Sequence, residues 1–396
     1  MQFPQRFSGL PEYAFPRLRA LLAPHSPGGP EVPMSIGEPM HPVPPMLADV
    51  LAGAIAGYAK YPPNEGLLEL RAAQSAWLKR RYGVEKDPET EILPLNGTRE
   101  GLFAACVALV AEEKNGAQPV VLLPNPFYQC YAVAALTAGA EPVYVPATAE
   151  TGFLPDFASV PEDLLKRTAA VYMCSPANPQ GAVADLAYWQ GLLALAEAHD
   201  FRVFADECYS EIWRDAPPTG ALEALGDADP ERLMVFHSLS KRSNLPGLRS
   251  GFCAGGPKSI AAMRQLRSYA GAPLPIPAQK AAAAIWADEA HVEANRALYA
   301  EKFSLADEVL GNVPGYSSPE AGFFLWIGVE DDEATCIRLW SEHGVKVLPG
   351  SYLSRESDTR LGGGNPGAGY IRAALVAPAA EVRTGLEAIR ETLGRG

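Results

Sequence analysis

A lysine preceded by small hydroxyl residues is the group in this sequence best suited to covalent chemistry. Lys241 ends the run Ser238-Leu239-Ser240-Lys241, and Arg249 follows eight residues later, beyond a Pro-Gly turn. A lysine amine becomes a nucleophile toward carbonyl groups when burial and neighbouring cations lower its pKa. Because hydroxyl groups and a guanidinium bind phosphate, the set predicts a lysine that forms an imine with a phosphate-bearing aldehyde, pyridoxal phosphate. Taken alone, the motif also fits a lysine in a solvated loop.

Two polar segments that follow strand-like apolar runs carry further groups of this kind. Asp206 and Tyr209 follow residues 201–205. A carboxylate there can pair with the pyridine nitrogen of the cofactor, and the phenol can donate to the ring oxygen. Asn178 lies between two prolines, in a turn that fixes the direction of its amide. The alternatives are that Asp206 caps the next helix and that Asn178 belongs to an ordinary turn.

A third set lies at a predicted helix start and after a predicted strand. Gly97 and Thr98 can present backbone N–H groups and a hydroxyl at the positive end of a helix, where phosphate binds. Tyr128, after the strand candidate 120–123, can stack on a flat ring. Taken alone, Thr98 also fits simple helix capping, and the aromatic segment also fits core packing.

An arginine inside an apolar segment completes the candidates. Arg372 lies within residues 369–376, which otherwise resemble a buried strand. A partly buried guanidinium needs a partner, and the planar carboxylate of a substrate matches its geometry. The alternative is an edge-strand arginine paired with a carboxylate of the protein.

The order of elements predicts the scaffold that must hold these residues. Short apolar strands alternate with helices from about residue 66, which is typical of a mostly parallel sheet covered by helices on both faces. In such α/β sheets, ligands bind beyond the carboxyl ends of the strands, where the candidate residues fall. The strand candidates are 120–123, 142–145, 169–174, 202–205, 233–236 and 251–254.

Changes in composition divide the chain into three parts. Residues 1–47, rich in proline, are predicted to form an N-terminal arm with a short helix at 15–22 and part of a small domain. Residues 48–286 are predicted to form a large cofactor-binding domain. Residues 287–396 are predicted to form a small α+β domain, with a helix at about 289–310 and strands at 323–329, 345–348 and 370–376.

Charge and composition exclude several classes of partner. A net charge of −13 argues against nucleic acid and anionic membranes. No apolar run approaches the ~18 residues needed to span a bilayer, and the N-terminal residues lack the apolar core of a signal peptide. Six cysteines without CxxC spacing indicate free thiols and a cytoplasmic protein. Neither they nor the histidines have metal-ligand spacing, so no metal site is predicted.

The order and spacing of these motifs resemble the class I aminotransferases of pyridoxal-phosphate fold type I. The shared motifs are Asn-Gly-Thr, Asn-Pro-x-Gly, Asp-x-x-Tyr, Ser-x-Ser-Lys with arginine eight residues later, and a late strand arginine. The resemblance extends from Ser35 to Arg372. It implies an aspartate aminotransferase-like α/β fold, in which helices enclose a large, mostly parallel sheet and a smaller α+β domain follows.

The resemblance also implies a role for each candidate. Lys241, Asp206 and Tyr209 are the catalytic residues: Lys241 forms the imine and moves protons, and Asp206 holds the pyridinium. Arg372, Asn178 and the backbone at Gly37 bind the substrate α-carboxylate. The other cofactor contacts are Asn178 and Tyr209 at the ring oxygen, Tyr128 on the ring face, and Gly97, Thr98, Ser238, Ser240 and Arg249 at the phosphate. Tyr61 matches the tyrosine that reaches the phosphate from a neighbouring subunit, which implies a homodimer with shared sites.

Several segments are similar to those of the bacterial succinyldiaminopimelate aminotransferases, namely 125–129, 206–212, 238–244, 288–292, 295–299 and 347–353. This similarity implies transfer of an amino group from glutamate to N-succinyl-2-amino-6-oxopimelate. The products are N-succinyl-LL-2,6-diaminopimelate and 2-oxoglutarate, in lysine biosynthesis via diaminopimelate. Arg99 and Arg242 are candidates for cations that bind the carboxylates of these substrates.

Two alternatives stay open, and a third is disfavoured. The chain also resembles other class I aminotransferases, which act on aspartate, aromatic amino acids or alanine. A fold-type-I lyase that cleaves a C–S bond uses the same residues. A regulator built on an aminotransferase-like domain is disfavoured, because fewer than ~40 residues precede Ser35 and the chain is acidic, which leaves no basis for a DNA-binding module.

Overall fold

Alternating helices and strands make up most of the chain in the computed structural model, which describes residues 4–394. The strands are β1 Val32–Pro33, β2 Ile92–Leu95, β3 Val120–Asn125, β4 Glu141–Pro146, β5 Thr168–Cys174, β6 Arg202–Asp206, β7 Leu233–Ser238, β8 Gly251–Gly255, β9 Phe324–Gly328, β10 Val345–Lys346, β11 Leu348–Pro349 and β12 Tyr370–Ala374. The helices are α1 Ala14–Leu22, α2 Leu47–Ala54, α3 Leu68–Tyr82, α4 Thr98–Leu109, α5 Gln129–Thr137, α6 Glu162–Leu165, α7 Leu186–His199, α8 Leu239–Arg242, α9 Pro257–Ala270, α10 Ile276–Ala287, α11 Ala290–Leu310, α12 Asp332–His343 and α13 Ala379–Leu393.

The central sheet contains seven strands in the order β2-β8-β7-β6-β5-β3-β4. Its neighbours pair in parallel except at β8, which is antiparallel to both β7 and β2. Strands β3, β7 and β8 are buried along their whole length. Such strands are continuous apolar runs because helices cover both faces of the sheet, which explains why the sequence pattern predicted them.

Two hydrophobic clusters lie on opposite sides of this sheet. One contains Leu102 of α4, Tyr131 of α5 and Ile260 of α9. The other contains the tryptophans of α3, α7 and α10. Side chains alternate between the faces of a strand, so the strands contribute to both clusters and their carboxyl ends are held from two sides.

The C-terminal sheet contains three antiparallel strands in the order β11-β12-β9. Helices α11, α12 and α13 pack with it in a third hydrophobic cluster. The N-terminal arm joins this cluster, because β1 pairs in parallel with β10 and Met34 is fully buried. Helix α1 packs against Leu348 and Tyr352 in a fourth, small cluster.

The predicted fold class and each predicted strand of the central sheet are confirmed. The expected strand at 345–348 is divided into β10 and β11, which pair with different partners. Strand β2 was missed, because it has only four residues and includes Pro94. The domain boundaries at residues 47 and 286 stay predictions. No helix within residues 4–394 is long and apolar enough to cross a membrane.

Met34 is one of the residues by which the arm is tied to the C-terminal domain. Its backbone N–H donates to the carbonyl of Lys346 at 3.0 Å, and its own carbonyl accepts from the Ala374 N–H at 2.7 Å. Its Sδ fills the space beside Gly385, where a Cβ would overlap it. The Met34 side chain is therefore tightly packed. It lies three residues before Gly37 in the sequence.

We expect Met34→Ala to lower the free energy of unfolding by about 2–5 kcal/mol, because it removes buried atoms and leaves a cavity. Met34→Leu, which conserves volume, should cost less than about 1.5 kcal/mol. Urea unfolding followed by tryptophan fluorescence measures both. Equal midpoints for Met34→Ala and the unchanged protein would contradict this packing.

Candidate active site

A cavity of about 360 Å³ lies beyond the carboxyl ends of the central strands. Polar residues at the ends of β3, β5, β6 and β7 or directly after them line one part of the cavity. The arm and β12 of the C-terminal sheet line another part. Of the predicted site residues, those that line it are Gly37, Thr98, Tyr128, Asn178, Asp206, Tyr209, Ser238, Ser240, Lys241, Arg249 and Arg372. The structure thus brings together residues from distant parts of the sequence.

Lys241 lies in the short helix α8, directly after β7. Ser238 caps this helix, accepting a hydrogen bond from the Ser240 N–H at 3.1 Å. The Lys241 Nζ donates to the carbonyl of Gly37 in the arm. Burial lowers the pKa of Lys241 to about 8, and the nearby guanidinium of Arg372 acts in the same direction. A larger share of this amine is therefore neutral, and nucleophilic, near physiological pH than of an ordinary lysine.

Asp206 is the last residue of β6 and is buried. Its Oδ2 accepts a hydrogen bond from the Tyr131 hydroxyl at 2.6 Å, and its Oδ1 accepts one from the Cys208 N–H at 3.3 Å. Burial raises the pKa of Asp206. The chain turns after Asp206 and forms no helix there, so the helix-cap alternative is wrong. A carboxyl group in this setting is suited to pair with a protonated ring nitrogen.

Tyr131 was not predicted from the sequence. Its ring stacks on Tyr172, with centroids 4.5 Å apart and planes 7° apart, and both rings are fully buried. The stack fixes the hydroxyl that orients Asp206. Tyr131 lies three residues after Tyr128 on α5, but no local motif in the sequence marks it as a partner of a residue 75 positions away.

A concave group of hydrogen-bond donors is formed where α4 begins. Gly97 has a φ of +80° and precedes Thr98, the first residue of α4, so Thr98 is not the cap expected in the alternative interpretation. A Cβ at position 97 would overlap the guanidinium of Arg249, which donates to Asn96 O at 3.2 Å. Only glycine leaves this space open. The N–H groups of a helix start, an arginine and the hydroxyls of Ser238 and Ser240 together fit a phosphate dianion.

Arg372 approaches the cavity from β12, the middle strand of the C-terminal sheet. Its Nη1 donates to Asn178 Oδ1 at 3.1 Å and its Nη2 to Ser35 O at 2.8 Å. The Asn178 amide in turn donates to the Tyr209 hydroxyl at 3.3 Å. Arg372 therefore lies on the middle strand of its sheet and binds an amide and a carbonyl, so the alternative of an edge-strand arginine paired with a carboxylate of the protein is wrong. Burial lowers the pKa of Arg372 to about 10, and its Nε has no hydrogen-bond partner among the described residues.

The remaining predicted residues to place are Arg99, Arg242 and Tyr61. The Tyr128 hydroxyl accepts a hydrogen bond from Arg99 Nε, and both residues line the cavity. Arg242 does not line the cavity, and its guanidinium binds Ile285, Asp288 and Glu289 instead, so its predicted role as a cation for substrate is wrong. Tyr61 is fully exposed and does not line the cavity of its own chain. A contribution of Tyr61 to the site of a neighbouring subunit stays a prediction.

No group of three or more His, Cys, Asp or Glu residues within 4–394 is arranged to hold a metal ion. The cysteines are free thiols, as predicted. Cys208 lines the cavity with its Sγ 3.0 Å from Thr98 Oγ1, and burial raises its pKa well above the usual value. The nucleophile that the site offers is therefore the lysine amine and not a thiolate.

Comparisons with known proteins agree with this geometry. A sequence model of the family "Aminotransferase class I and II" matches residues 30–371. An LL-diaminopimelate aminotransferase of Dehalococcoides mccartyi (strain ATCC BAA-2266 / KCTC 15142 / 195) is 33% identical over 98% of this chain and 97% of its own. The crystal structure of an aminotransferase from Neisseria meningitidis Z2491 is similar with a TM-score of 0.93 and 40% identity, covering 99% of this chain and 100% of that one.

A third protein, described as a "probable N-succinyldiaminopimelate aminotransferase" from Thermus thermophilus, is 27% identical with a TM-score of 0.83, over 96% of this chain and 100% of that one. The family match spans most of the sequence, and the structural similarity spans nearly all of it. The chain belongs to the class I and II aminotransferases, has the aspartate aminotransferase-like fold type I, and uses pyridoxal phosphate as its cofactor.

Proposed function

We propose that this aminotransferase transfers an amino group from glutamate to N-succinyl-2-amino-6-oxopimelate, giving N-succinyl-LL-2,6-diaminopimelate and 2-oxoglutarate. The observation that carries the proposal is a second arginine, Arg99, in the same cavity as Arg372. Two guanidinium groups suit a substrate with more than one carboxylate. The names of the relatives, which refer to diaminopimelate and to its N-succinyl form, support this substrate class.

Lys241 is proposed to move the proton at the substrate α-carbon. When bound, pyridoxal phosphate supplies an aldehyde for amines and a protonated ring that withdraws electrons from that carbon. An amine with a pKa of about 8 is matched to this task, because it can both accept and return a proton near neutral pH. The carbonyl of Gly37 holds its Nζ at the side of the cavity where the arm enters.

Arg372 is proposed to orient the substrate by its α-carboxylate, with Asn178 and the backbone at Gly37. The guanidinium already has two fixed partners, Asn178 Oδ1 and Ser35 O, so its plane is set before substrate binds. Its central carbon lies 4.1 Å from the ring centroid of Phe324. A carboxylate there would gain charge-assisted hydrogen bonds from a group that has already lost its water.

The remaining residues are proposed to hold the cofactor. Asp206 pairs with the protonated ring nitrogen. The positive charge of that nitrogen would lower the pKa of Asp206, which burial raises. Asn178 and Tyr209 hold the ring oxygen, and Tyr128 covers the ring face. The phosphate is bound by Gly97, Thr98, Ser238, Ser240 and Arg249, with Tyr61 supplied by the second subunit of a homodimer.

A second candidate is the same reaction on LL-diaminopimelate without the succinyl group. The relative from Dehalococcoides is named for this compound and spans nearly the whole chain. The two candidates differ only at the far end of the substrate, where one carries an amide-linked succinate and the other a free amine.

Substrate titration of the holoenzyme separates the candidates. We expect the cofactor absorbance to change at concentrations of N-succinyl-LL-diaminopimelate about tenfold lower than for glutamate, because one additional charge-assisted hydrogen bond contributes about 1.5–3 kcal/mol. LL-diaminopimelate and aspartate are titrated alongside. A response to LL-diaminopimelate at the lowest concentrations would support the second candidate, and a response to aspartate alone would contradict both.

We expect Arg99→Gln to weaken use of the succinylated substrate more than use of glutamate, by about tenfold in the ratio of their kcat/KM values. The reason is that only the longer substrate is proposed to reach Arg99. Arg383→Gln, which removes an exposed arginine of α13 that is paired with Glu308, is the control. Equal losses with both substrates would contradict a role for Arg99 in specificity.

Lys241→Ala should abolish transamination and covalent capture of pyridoxal phosphate, whereas Lys258→Ala on the surface of α9 should change neither. In the apo-protein, the rate of capture should rise with pH up to about 8 and level off above it, because only the neutral amine reacts. A lysine with the ordinary pKa of about 10.4 would keep accelerating beyond pH 9. Stopped-flow absorbance measures this rate.

A further inference from the structure

We propose that Arg242 is a positioning residue, which holds the lysine-bearing helix α8 in a fixed place relative to the junction between α10 and α11. The proposal rests on the role of Lys241 proposed above. Arg242 directly follows Lys241, but its side chain contacts neither the cavity nor any residue proposed to bind the cofactor. Apart from one to the adjacent Ser243, its hydrogen bonds run to the end of α10 and the residues that follow it.

Helix α8 cannot hold its own position. It spans four residues, and its last turn is closed by a hydrogen bond from Ser243 N to Leu239 O at 3.1 Å. Nucleation of a helix is unfavourable, so a single turn is stable only where the surrounding protein stabilises it. The place of the Lys241 amine must therefore be set by contacts that other elements make with α8.

Arg242 makes those contacts at the end of α10. Its Nη1 donates to Ile285 O at 3.1 Å, and its Nη2 donates to Asp288 O at 3.1 Å and to Glu289 Oε1 at 2.9 Å. The last carbonyls of a helix lack intrahelical partners and carry partial negative charge. The planar guanidinium binds one carbonyl of the last turn of α10, the carbonyl of Asp288 just beyond it and a carboxylate, which ties α8 to the residues between α10 and α11.

The anchor is enclosed by aromatic rings. Only 2% of the Arg242 side chain is exposed, and its guanidinium lies 4.9 Å from the ring centroid of Trp286 and 5.7 Å from that of Trp77. A buried charge is costly unless it is paired and hydrogen-bonded. Because the low local dielectric strengthens these bonds and penalises their loss, the network allows α8 little freedom.

The next two residues extend the anchor along α11. Ser243 Oγ lies 2.8 Å from His291 Nε2, and His291 Nδ1 in turn contacts Asp288. Asn244 donates to Asn295 Oδ1 at 3.0 Å and to Pro42 O in the arm at 3.2 Å. Three consecutive residues after Lys241 thus bind the α10–α11 junction, the start of α11 and the arm.

The consequence for catalysis is geometric. A displacement of about 1 Å between reacting groups can cost about 100-fold in rate. Arg242 is placed to prevent such a displacement of Lys241, while Arg372, which is proposed to bind substrate, depends on different contacts. Loss of the anchor should therefore lower kcat and leave KM little changed.

The test is Arg242→Met, which keeps much of the length and packing of the side chain but removes its hydrogen bonds. We expect the holoenzyme to retain its cofactor, with kcat for the donor half-reaction lowered about 10- to 100-fold and KM for glutamate changed less than about threefold. The pH at which the cofactor absorbance changes should also shift. Arg242→Lys, which keeps the charge but loses the planar fork, should lie between Arg242→Met and the unchanged enzyme.

Arg80→Met is the matched control. Arg80 Nη2 donates to Trp286 O at 2.8 Å and to Glu289 Oε1 at 3.3 Å, so it binds the same junction without a hydrogen bond to α8. Its loss should leave kcat within about twofold of the unchanged enzyme and the absorbance profile unshifted, because the hydrogen bonds of Arg242 to Ile285 O and Asp288 O remain. Equal losses of kcat in Arg242→Met and Arg80→Met would overturn the proposal, because they would indicate a general effect on stability.

Two further outcomes are decisive. Unchanged kcat in Arg242→Met overturns the anchor but not the proposed function, provided that Lys241→Ala is inactive. An active Lys241→Ala contradicts the proposed function directly. If Arg242→Met does not fold, Arg242→Lys decides: a severalfold lower kcat at unchanged KM supports the anchor, and full kcat overturns it.

Discussion

Removal of charged groups from water is the constraint on which the rest of the site depends. Burial lowers the pKa of Lys241 to about 8 and that of Arg372 to about 10, and it raises the pKa of Asp206. Such groups are tolerated only where fixed partners replace water. Here Gly37 is a partner of Lys241, Asn178 of Arg372 and Tyr131 of Asp206. Each of the three charged groups can still form further hydrogen bonds. That unused capacity is what a charged ligand can bind.

The distribution of charge differs between the whole chain and the cavity. The chain carries a net charge of −13, yet its cavity is lined by Lys241, Arg99, Arg249 and Arg372, with Asp206 and Glu38 as the acids. Local cations in a low-dielectric cleft attract anionic amino and keto acids regardless of the overall charge. The net negative charge disfavours binding of nucleic acid, whereas the local positive charge in the cavity favours binding of anionic substrates.

Most of the fold and many of the polar residues that line the cavity could be predicted from the sequence, but the contacts that orient those residues could not. Buried parallel strands are continuous apolar runs, and motifs such as Gly97-Thr98 or Ser240-Lys241 act through neighbours in sequence. Contacts across the fold leave no such pattern, which is why Tyr131 was missed. Arg242 was misassigned for a related reason: consecutive residues of a helix point in different directions, so adjacency to Lys241 does not place a side chain in the same cavity.

Residues 34–37 of the arm contact both Lys241 and Arg372. Met34 is packed in the C-terminal cluster, Ser35 O accepts from Arg372, and Gly37, whose Cβ position is occupied by the ring of Phe324, accepts from Lys241. Lys241, the proposed proton carrier, and Arg372, the proposed carboxylate-binding residue, therefore both contact one backbone segment. In evolutionary terms, a substitution in this segment would change the surroundings of both residues at once, whereas a substitution of Arg99, which is hydrogen-bonded to Tyr128, leaves this segment unaltered.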